Sequence, residues 1–106
     1  RDVRAAVDAV EARRGPDGAP VAAVTLRREG AHSAYGDVEI RATGAPDNAP
    51  PLAVARGLAV YTELTRRSVD VPLPASVRPG ERLEARFVET SGRRPEPSAP
   101  ASFVAR

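Results

Sequence analysis

His32, Ser33 and Asp37 are the residue types of a hydrolytic catalytic triad, and they fall within a six-residue stretch. In a triad a base activates the nucleophile and a carboxylate orients the base. Adjacent residues on a strand or loop point apart, however, and triads are assembled from distant segments of a fold. The spacing therefore favours a polar loop over an active site, and we expect no enzymatic activity.

The sequence offers few metal ligands. A catalytic zinc site generally needs two or three imidazoles with a carboxylate, and the chain has one histidine and no cysteine. Asp17, in a Gly-Pro-Asp-Gly turn, and Asp47 with Asn48, in a proline-rich loop, carry oxygens that suit calcium. Neither loop holds the five or six converging oxygens that calcium requires, so both indicate turns. No Gly-rich phosphate loop is present, and no cofactor is expected.

Arginine supplies every one of the 16 basic residues, against 14 acidic residues, for a net charge of +2. Guanidinium groups bind carboxylates and phosphates in bidentate fashion, so adjacent arginines are candidate contacts. The adjacent pairs are Arg13–Arg14, Arg27–Arg28, Arg66–Arg67 and Arg93–Arg94. Acidic residues alternate with arginine along the chain, whereas a nucleic-acid binder concentrates positive charge on one face. We therefore expect solvated surfaces and no nucleic-acid partner.

Two tyrosines, Tyr35 and Tyr61, are amphipathic rings of the kind found at the rim of a β-sandwich or at a protein interface. Tyr61 lies close to the Arg66–Arg67 pair, where we expect a turn. Tyr61, Arg66 and Arg67 are therefore the candidate partner-contact residues, on a contact surface that carries no chemistry.

The segment from Arg56 to Pro74 contains two alternating apolar runs on either side of that expected turn. Side chains two apart on an extended chain point the same way, so each run predicts a strand with one buried face. Gly57 opens the first run, which extends to Leu64, and Pro74 closes the second. The predicted core positions are Leu58, Val60, Val69, Val71 and Leu73.

Alternation predicts further strands on both sides of this segment. A second strand runs from Pro20 to Glu29–Gly30, a third over Ala34–Thr43, another over Glu81–Glu89 and the last over Ala101–Ala105, with a short edge strand at Leu52–Arg56. In the third strand, Val38 and Ile40 are predicted to be buried, and Asp37, Glu39 and Arg41 are predicted to form the solvent-exposed face. Gly44–Pro51 and Thr90–Pro100 are predicted loops, the second of them mobile.

Residues 2–15 fit two structures. Asp2 as a cap, with Val3, Val7 and Val10 at helical spacing, predicts a helix. The Gly15–Gly18 turn instead predicts a hairpin, and the all-strand remainder favours a strand near Ala5–Arg13.

A chain of 106 residues predicts one domain, residues 1–106. About seven short strands with regular turn signals predict an all-β fold, a two-sheet antiparallel sandwich, with a five- or six-stranded barrel as the alternative. No window approaches the 18 consecutive apolar residues of a membrane span. Because the sequence begins at Arg1 without Met, we expect it to be part of a longer chain.

Four segments together resemble a known family. They are Val24–Gly30 (VTLRREG), Ser33–Ile40 (SAYGDVEI), Arg56–Pro74 and Arg78–Glu89 (RPGERLEARFVE). Their basic-Gly, Tyr-Gly and Pro-Gly turns resemble the second, immunoglobulin-like domain of periplasmic pilus-assembly chaperones of the chaperone-usher kind. The likeness covers Val21–Glu89.

The resemblance implies an accessory domain that helps secretion and assembly of pilus subunits, in the periplasm or at the cell surface. Its partner would be a pilus subunit or the neighbouring domain, with which it forms one wall of a cleft. No functional residue of the family carries over. The alternative is a carbohydrate- or surface-binding module of a secreted protein, against which the scatter of only four aromatic residues counts.

Overall fold

The structure, a computed structural model, describes residues 5–30, 32–62 and 65–106 and forms an antiparallel β-sandwich. The prediction of an all-β, two-sheet antiparallel sandwich is confirmed: the described residues form eight strands in two separate sheets, and the alternative of a barrel is excluded. The strands are β1 (Ala5–Arg14), β2 (Pro20–Arg28), β3 (Ala34–Ala42), β4 (Ala53–Val60), β5 (Arg66–Pro72), β6 (Arg82–Glu89), β7 (Glu96–Pro97) and β8 (Ala101–Val104).

One sheet has the order β1-β2-β5, and the other contains β4-β3-β6 with β7 and β8 both paired to β6. The first, second and fifth strands thus face the third, fourth, sixth and last, which is an immunoglobulin-like arrangement. β7 and β8 are two pieces of one final edge strand, since Pro97 pairs with Val88 and Ala101 with Ala85 along the same strand. Pro100 lies in the break between them.

The core fills the space between the two sheets, and side chains two apart on each strand supply it. Fully buried positions alternate along the central strands, as in Val24 and Leu26, and as in Val38 and Ile40. Phe87 is the largest fully buried side chain. The predicted core of the Arg56–Pro74 segment is confirmed: Val60, Val71 and Leu73 are buried, and Leu58 and Val69 pack against them while half-buried.

The first segment is a strand and not a helix. β1 pairs with β2 from Ala5↔Arg28 to Arg14↔Pro20. The turn between them is closed by the Gly15 N–H, which donates to the Ala19 carbonyl at 2.8 Å, with Gly18 at a φ of 81°. The proposed cap Asp2 lies outside the described residues.

The prediction of separate strands before and after Gly57 is wrong, because β4 is continuous through it. The register against β3 shifts between Gly36 and Val38, so that Arg56 and Gly57 both lie opposite Asp37 as a β-bulge. Gly57 has a φ of 68°, which glycine adopts without strain, and its N–H donates to Asp37 Oδ1 at 3.0 Å. The glycine therefore bends the strand without ending it.

The expected turn at Arg66–Arg67 is also misplaced. β4 ends at Val60 and β5 begins at Arg66, so the chain reverses direction between them and the two arginines open a strand. Leu64, predicted to end the first apolar run, lies outside the described residues.

Arg41 is predicted on the wet face of β3 but is only 7% exposed. The segment between β3 and β4 folds over it, and Arg41 Nη2 donates to the carbonyls of Pro46, Asp47 and Ala49 at 2.9, 3.2 and 2.6 Å. The buried guanidinium thus holds the loop between β3 and β4 in place through three of its carbonyl groups.

The predicted loop Thr90–Pro100 contains the short strand β7 and is tied to β6 beyond it. Ser98 Oγ accepts a hydrogen bond from the Phe87 N–H at 3.0 Å, and the Ser98 N–H donates to the Phe87 carbonyl at 2.7 Å. Residues 90–95 and the break at residues 98–100 lie outside the strands. Among the described residues, no helix is long and apolar enough to cross a membrane.

Candidate functional site

One end of the sandwich brings together three connections that are distant in sequence: β2 to β3, β4 to β5 and β6 to β7. Strand pairing places them there, because Ala34 at the start of β3 lies opposite Val60 at the end of β4, and Gly36 lies opposite Glu89 at the end of β6. In immunoglobulin-like domains, loops clustered at one end of the sandwich commonly carry recognition. We call this surface the loop end.

Tyr35 and Tyr61 meet at the loop end. Tyr35 lies on the outer face of β3 and Tyr61 directly follows β4. Their ring centroids are 6.3 Å apart with the planes at 82°, an edge-to-face contact. The two residues are 43% and 49% exposed, so this aromatic pair is presented to solvent.

Hydrogen bonds hold the connections around Tyr61 to one another. The Thr62 N–H donates to Ser33 Oγ at 3.2 Å, which links the β4–β5 connection to the β2–β3 connection. Arg28 Nη2 donates to the Thr62 carbonyl at 3.1 Å, and the Arg28 N–H donates to the Thr65 carbonyl at 2.9 Å. The backbone on either side of residues 63–64 is therefore fixed to β2 and to the start of β3.

Tyr35 is fixed to the β6–β7 connection in the same way. The Thr90 N–H donates to the Tyr35 carbonyl at 2.9 Å, and the Tyr35 N–H donates to Glu89 Oε2 at 3.3 Å. Glu89 is only 4% exposed, and its carboxylate also accepts from the Ser91 hydroxyl. Donors satisfy this buried carboxylate, and one of them is the Tyr35 N–H, so Glu89 ties the backbone of Tyr35 to the end of β6.

The structure separates the three predicted contact residues. Tyr61 is at the loop end. Arg67 turns between the sheets, where its Nη1 donates to the Ala59 carbonyl at 2.8 Å and links β5 to β4. Arg66 turns outward onto the face of the three-stranded sheet. Arg67 thus links the two sheets, whereas Arg66 acts within one sheet, and the prediction groups them with Tyr61 only because they are close in sequence.

Arg66 belongs to a row of charges on that outer face. Asp8 accepts from Arg66 Nε at 2.9 Å and from Arg27 Nη1 at 2.7 Å, and Arg27 Nη2 donates to Glu29 at 2.7 Å. The Arg66 hydrogen bond, followed by that of Arg27, holds the pKa of Asp8 below its usual range. Glu29 and then Asp8 raise the pKa of Arg27. The row is a structural ion-pair network with each charge matched.

The triad residue types are not assembled into a catalytic group. Ser33 Oγ accepts from Thr62, Asp37 Oδ1 accepts from Gly57, and Asp37 Oδ2 lies 3.8 Å from Arg56. His32 is exposed and makes no hydrogen bond to other described residues. Ser33 and Asp37 therefore support backbone geometry.

In the two loops considered for calcium, oxygen atoms accept hydrogen bonds from the protein itself. Asp17 Oδ1 caps the hairpin turn by accepting from the Ala19 N–H at 3.0 Å. In the Asp47–Asn48 loop, the carbonyls that converge do so on the guanidinium of Arg41. Within the described part of the chain, no group of three His, Cys, Asp or Glu residues could hold a metal ion.

The sequence indicates a rim or interface position for both Tyr35 and Tyr61, but it does not predict that the two rings meet. The signal that would have done so is strand pairing: once β3 and β4 form a hairpin, the start of one must meet the end of the other. No local sequence signal indicates the roles of Glu89 and Arg41. Arg41 occupies a position that alternation predicts to be exposed, and Glu89 is the last residue of β6.

Comparisons of the chain with protein-family models, with curated proteins and with solved structures found no match. Function is therefore inferred from the geometry of this chain.

Proposed function

We propose that this chain is a non-catalytic protein-binding module whose contact surface is the loop end, centred on Tyr35 and Tyr61. The observation that carries the proposal is the exposed edge-to-face pair of the two rings. Tyrosine is enriched among the residues that dominate binding energy at protein interfaces, because it gives a large contact area at a small cost in conformational entropy.

The hydrogen bonds beneath the pair support the same proposal. Thr62 is bonded to Ser33 and Thr90 to Tyr35, so the backbone that carries the rings is fixed before a partner arrives. A contact surface that is already ordered loses less entropy on binding. Arg93 and Arg94, exposed in the β6–β7 connection at the same end, are a second residue type that is frequent at binding hot spots.

The crossed rings argue against the alternative of a carbohydrate-binding module. Sugar rings stack on flat aromatic platforms, whereas Tyr35 and Tyr61 are inclined at 82° and offer no common plane. A protein side chain can pack into the angle between two crossed rings.

In its narrower form, the proposal makes this chain the accessory domain of a pilus-assembly chaperone in the periplasm or at the cell surface. Its partner is then a pilus subunit or the neighbouring domain. The supports for this form are the sandwich fold and the turn residues of the four segments that resemble that family.

Site-specific photo-crosslinking tests the proposal. A benzoylphenylalanine in place of Tyr61 is compared, in cells that express the chain, with one in place of Val104. Val104 is an exposed apolar residue near the opposite end of the sandwich, at 53% exposure. We expect a discrete adduct with one protein from position 61 and none from position 104. The same adducts from both positions, or none from position 61, would refute the proposal; a pilus subunit as the adduct would support the narrower form.

A further inference from the structure

The outer edge of β5 carries backbone groups that no neighbouring strand uses. Within the described part of the chain, β5 pairs only with β2. The Thr65 carbonyl accepts from the Arg28 N–H at 2.9 Å, and the Leu73 N–H donates to the Pro20 carbonyl at 3.0 Å. Residues 65, 67, 69, 71 and 73 therefore direct their backbone groups toward β2, since alternate residues of an antiparallel strand face alternate sides.

The residues between them direct their backbone groups the other way. Arg66, Ser68 and Asp70 each present a backbone N–H and a backbone carbonyl along the free edge. Among the described strands, none lies beyond β5 to pair with these groups. Pro72 presents only a carbonyl, because proline has no N–H. The free edge is thus a ladder of three residues that ends at a proline.

The side chains along this free edge are positive, neutral and negative in order, so they are complementary to those of a second copy of the edge that runs antiparallel. Arg66 lies two residues before Ser68 and Asp70 two residues after it, and all three side chains lie on the outer face of the sheet. When a second β5 is laid antiparallel with Ser68 opposite Ser68, each Arg66 lies opposite the Asp70 of the other strand. Opposite charges in directly opposed positions stabilise strand pairing.

We propose that the free edge of β5 docks a second copy of this chain, antiparallel and centred on Ser68. The three facing pairs, Ser68–Ser68 and the two Arg66–Asp70 pairs, are then all hydrogen-bonded pairs, in which both backbone bonds are exchanged. Two three-stranded sheets become one six-stranded sheet. The same patch serves both copies, so the contact closes as a two-fold dimer and does not propagate into a fibre.

The ion pairs within each copy continue across the contact. Arg66 already pairs with Asp8, and Asp70 with Arg13, in each case across β2. Docking therefore forms a row that reads Asp8, Arg66, then Asp70 and Arg13 of the second copy, with alternating sign throughout. A ladder of three pairs is small and its charges are exposed, so the dimer is weak and is weakened further by salt.

Sedimentation equilibrium tests this dimer with two charge variants. We expect the weight-average mass of the wild type to rise from 11.2 kDa toward twice that value over a concentration series reaching about 1 mM. Arg66→Asp places Asp opposite Asp70, and Asp70→Arg places Arg opposite Arg66, so each variant alone stays monomeric. An equimolar mixture of the two restores opposite charges at both positions and associates.

The mixture separates the contact from effects on folding, because a variant that does not fold cannot regain association by mixing. Arg82→Asp, at an exposed position on β6 of the other sheet, makes the same charge change away from the edge and is expected to dimerise as the wild type does. A wild type that remains monomeric at every concentration would overturn the proposal and leave the edge to a strand of another protein. Single variants that associate as strongly as the wild type would overturn it as well.

Discussion

Asp8 of β1 and Arg66 of β5 are joined by a hydrogen bond of 2.9 Å that passes over the intervening strand β2. The contact depends on a β-bulge, since the register between β1 and β2 shifts between Val7 and Ala9 and leaves Asp8 without an opposite residue. Bulges re-aim side chains, and here the carboxylate reaches both Arg27 and Arg66. All three strands of the smaller sheet are thereby linked on their outer face.

The link predicts a specific dependence of stability on pH. Because the folded-state pKa of Asp8 is lowered by Arg66 and Arg27, ionised Asp8 stabilises the fold at pH values above its unfolded pKa of about 4. That contribution is lost as the pH falls through the folded pKa. Urea unfolding of wild type and Asp8→Asn should differ at pH 7 and converge in acid. A difference that is constant with pH would contradict the role assigned to the charge.

Gly36 is predicted to tolerate no side chain. A Cβ at this position would lie 2.1 Å from the Val88 carbonyl oxygen and 2.8 Å from the Phe87 ring, and the first of these is backbone that cannot move aside. Gly36→Ala should therefore lower the free energy of unfolding by about 3 kcal/mol or prevent folding. Gly92→Ala is the matched control, since its nearest neighbour would be 3.9 Å away, and it should change thermal unfolding little.

Arg41 is predicted to stabilise the β3–β4 loop from within. Arg41→Met keeps most of the side-chain volume but removes the donor to three carbonyls, and should cost about 2 to 4 kcal/mol by chemical unfolding. Amide exchange in residues 44–50 should rise in the same variant. Arg56→Met is the control. Arg56 is exposed, and its Nη1 lies 3.8 Å from Asp37 Oδ2, which is long for an ion pair, so loss of this pair should cost about 1 kcal/mol or less. Equal losses in both variants would contradict the account.

Strand positions were predictable where alternation is uninterrupted. In β3, Val38 and Ile40 alternate with polar residues, and the predicted Ala34–Thr43 differs from the strand by one residue. In β5, Val71 is buried and Val69 is half-buried, both on the predicted inner face. Apolar residues at every second position indicate a strand with one buried face. Each of the two sheets of a sandwich buries one face, so strands of both sheets carry this pattern.

The errors occurred where a contact distant in sequence decides the local structure. Gly57 looks like a strand boundary, but Asp37 on the neighbouring strand accepts its N–H and the ladder continues. Arg66 and Arg67 look like a solvated turn, but Asp8 and the Ala59 carbonyl draw them onto a strand. A polar side chain in a single sequence does not reveal the partner that will satisfy it.

The loop end was half predictable. The chemistry of Tyr61 predicts it to be a contact residue, and it lies on the surface proposed for binding. Tyr35 became its companion only through the pairing of β3 with β4, which brings together residues 26 positions apart. Which loops share an end of a sandwich is set by topology, and topology is the part of the fold that alternation leaves undetermined.

The most direct measurement of the central claim is the dissociation constant of the complex with the protein captured from position 61. The account predicts that Tyr61→Ser weakens binding at least about tenfold, as expected when an exposed aromatic anchor is removed. Val104→Ser, an apolar-to-polar change of the same kind near the opposite end, should leave the constant unchanged. Equal affinity of the wild type and Tyr61→Ser, or an equal loss in both variants, would contradict the assignment of the loop end as the binding surface.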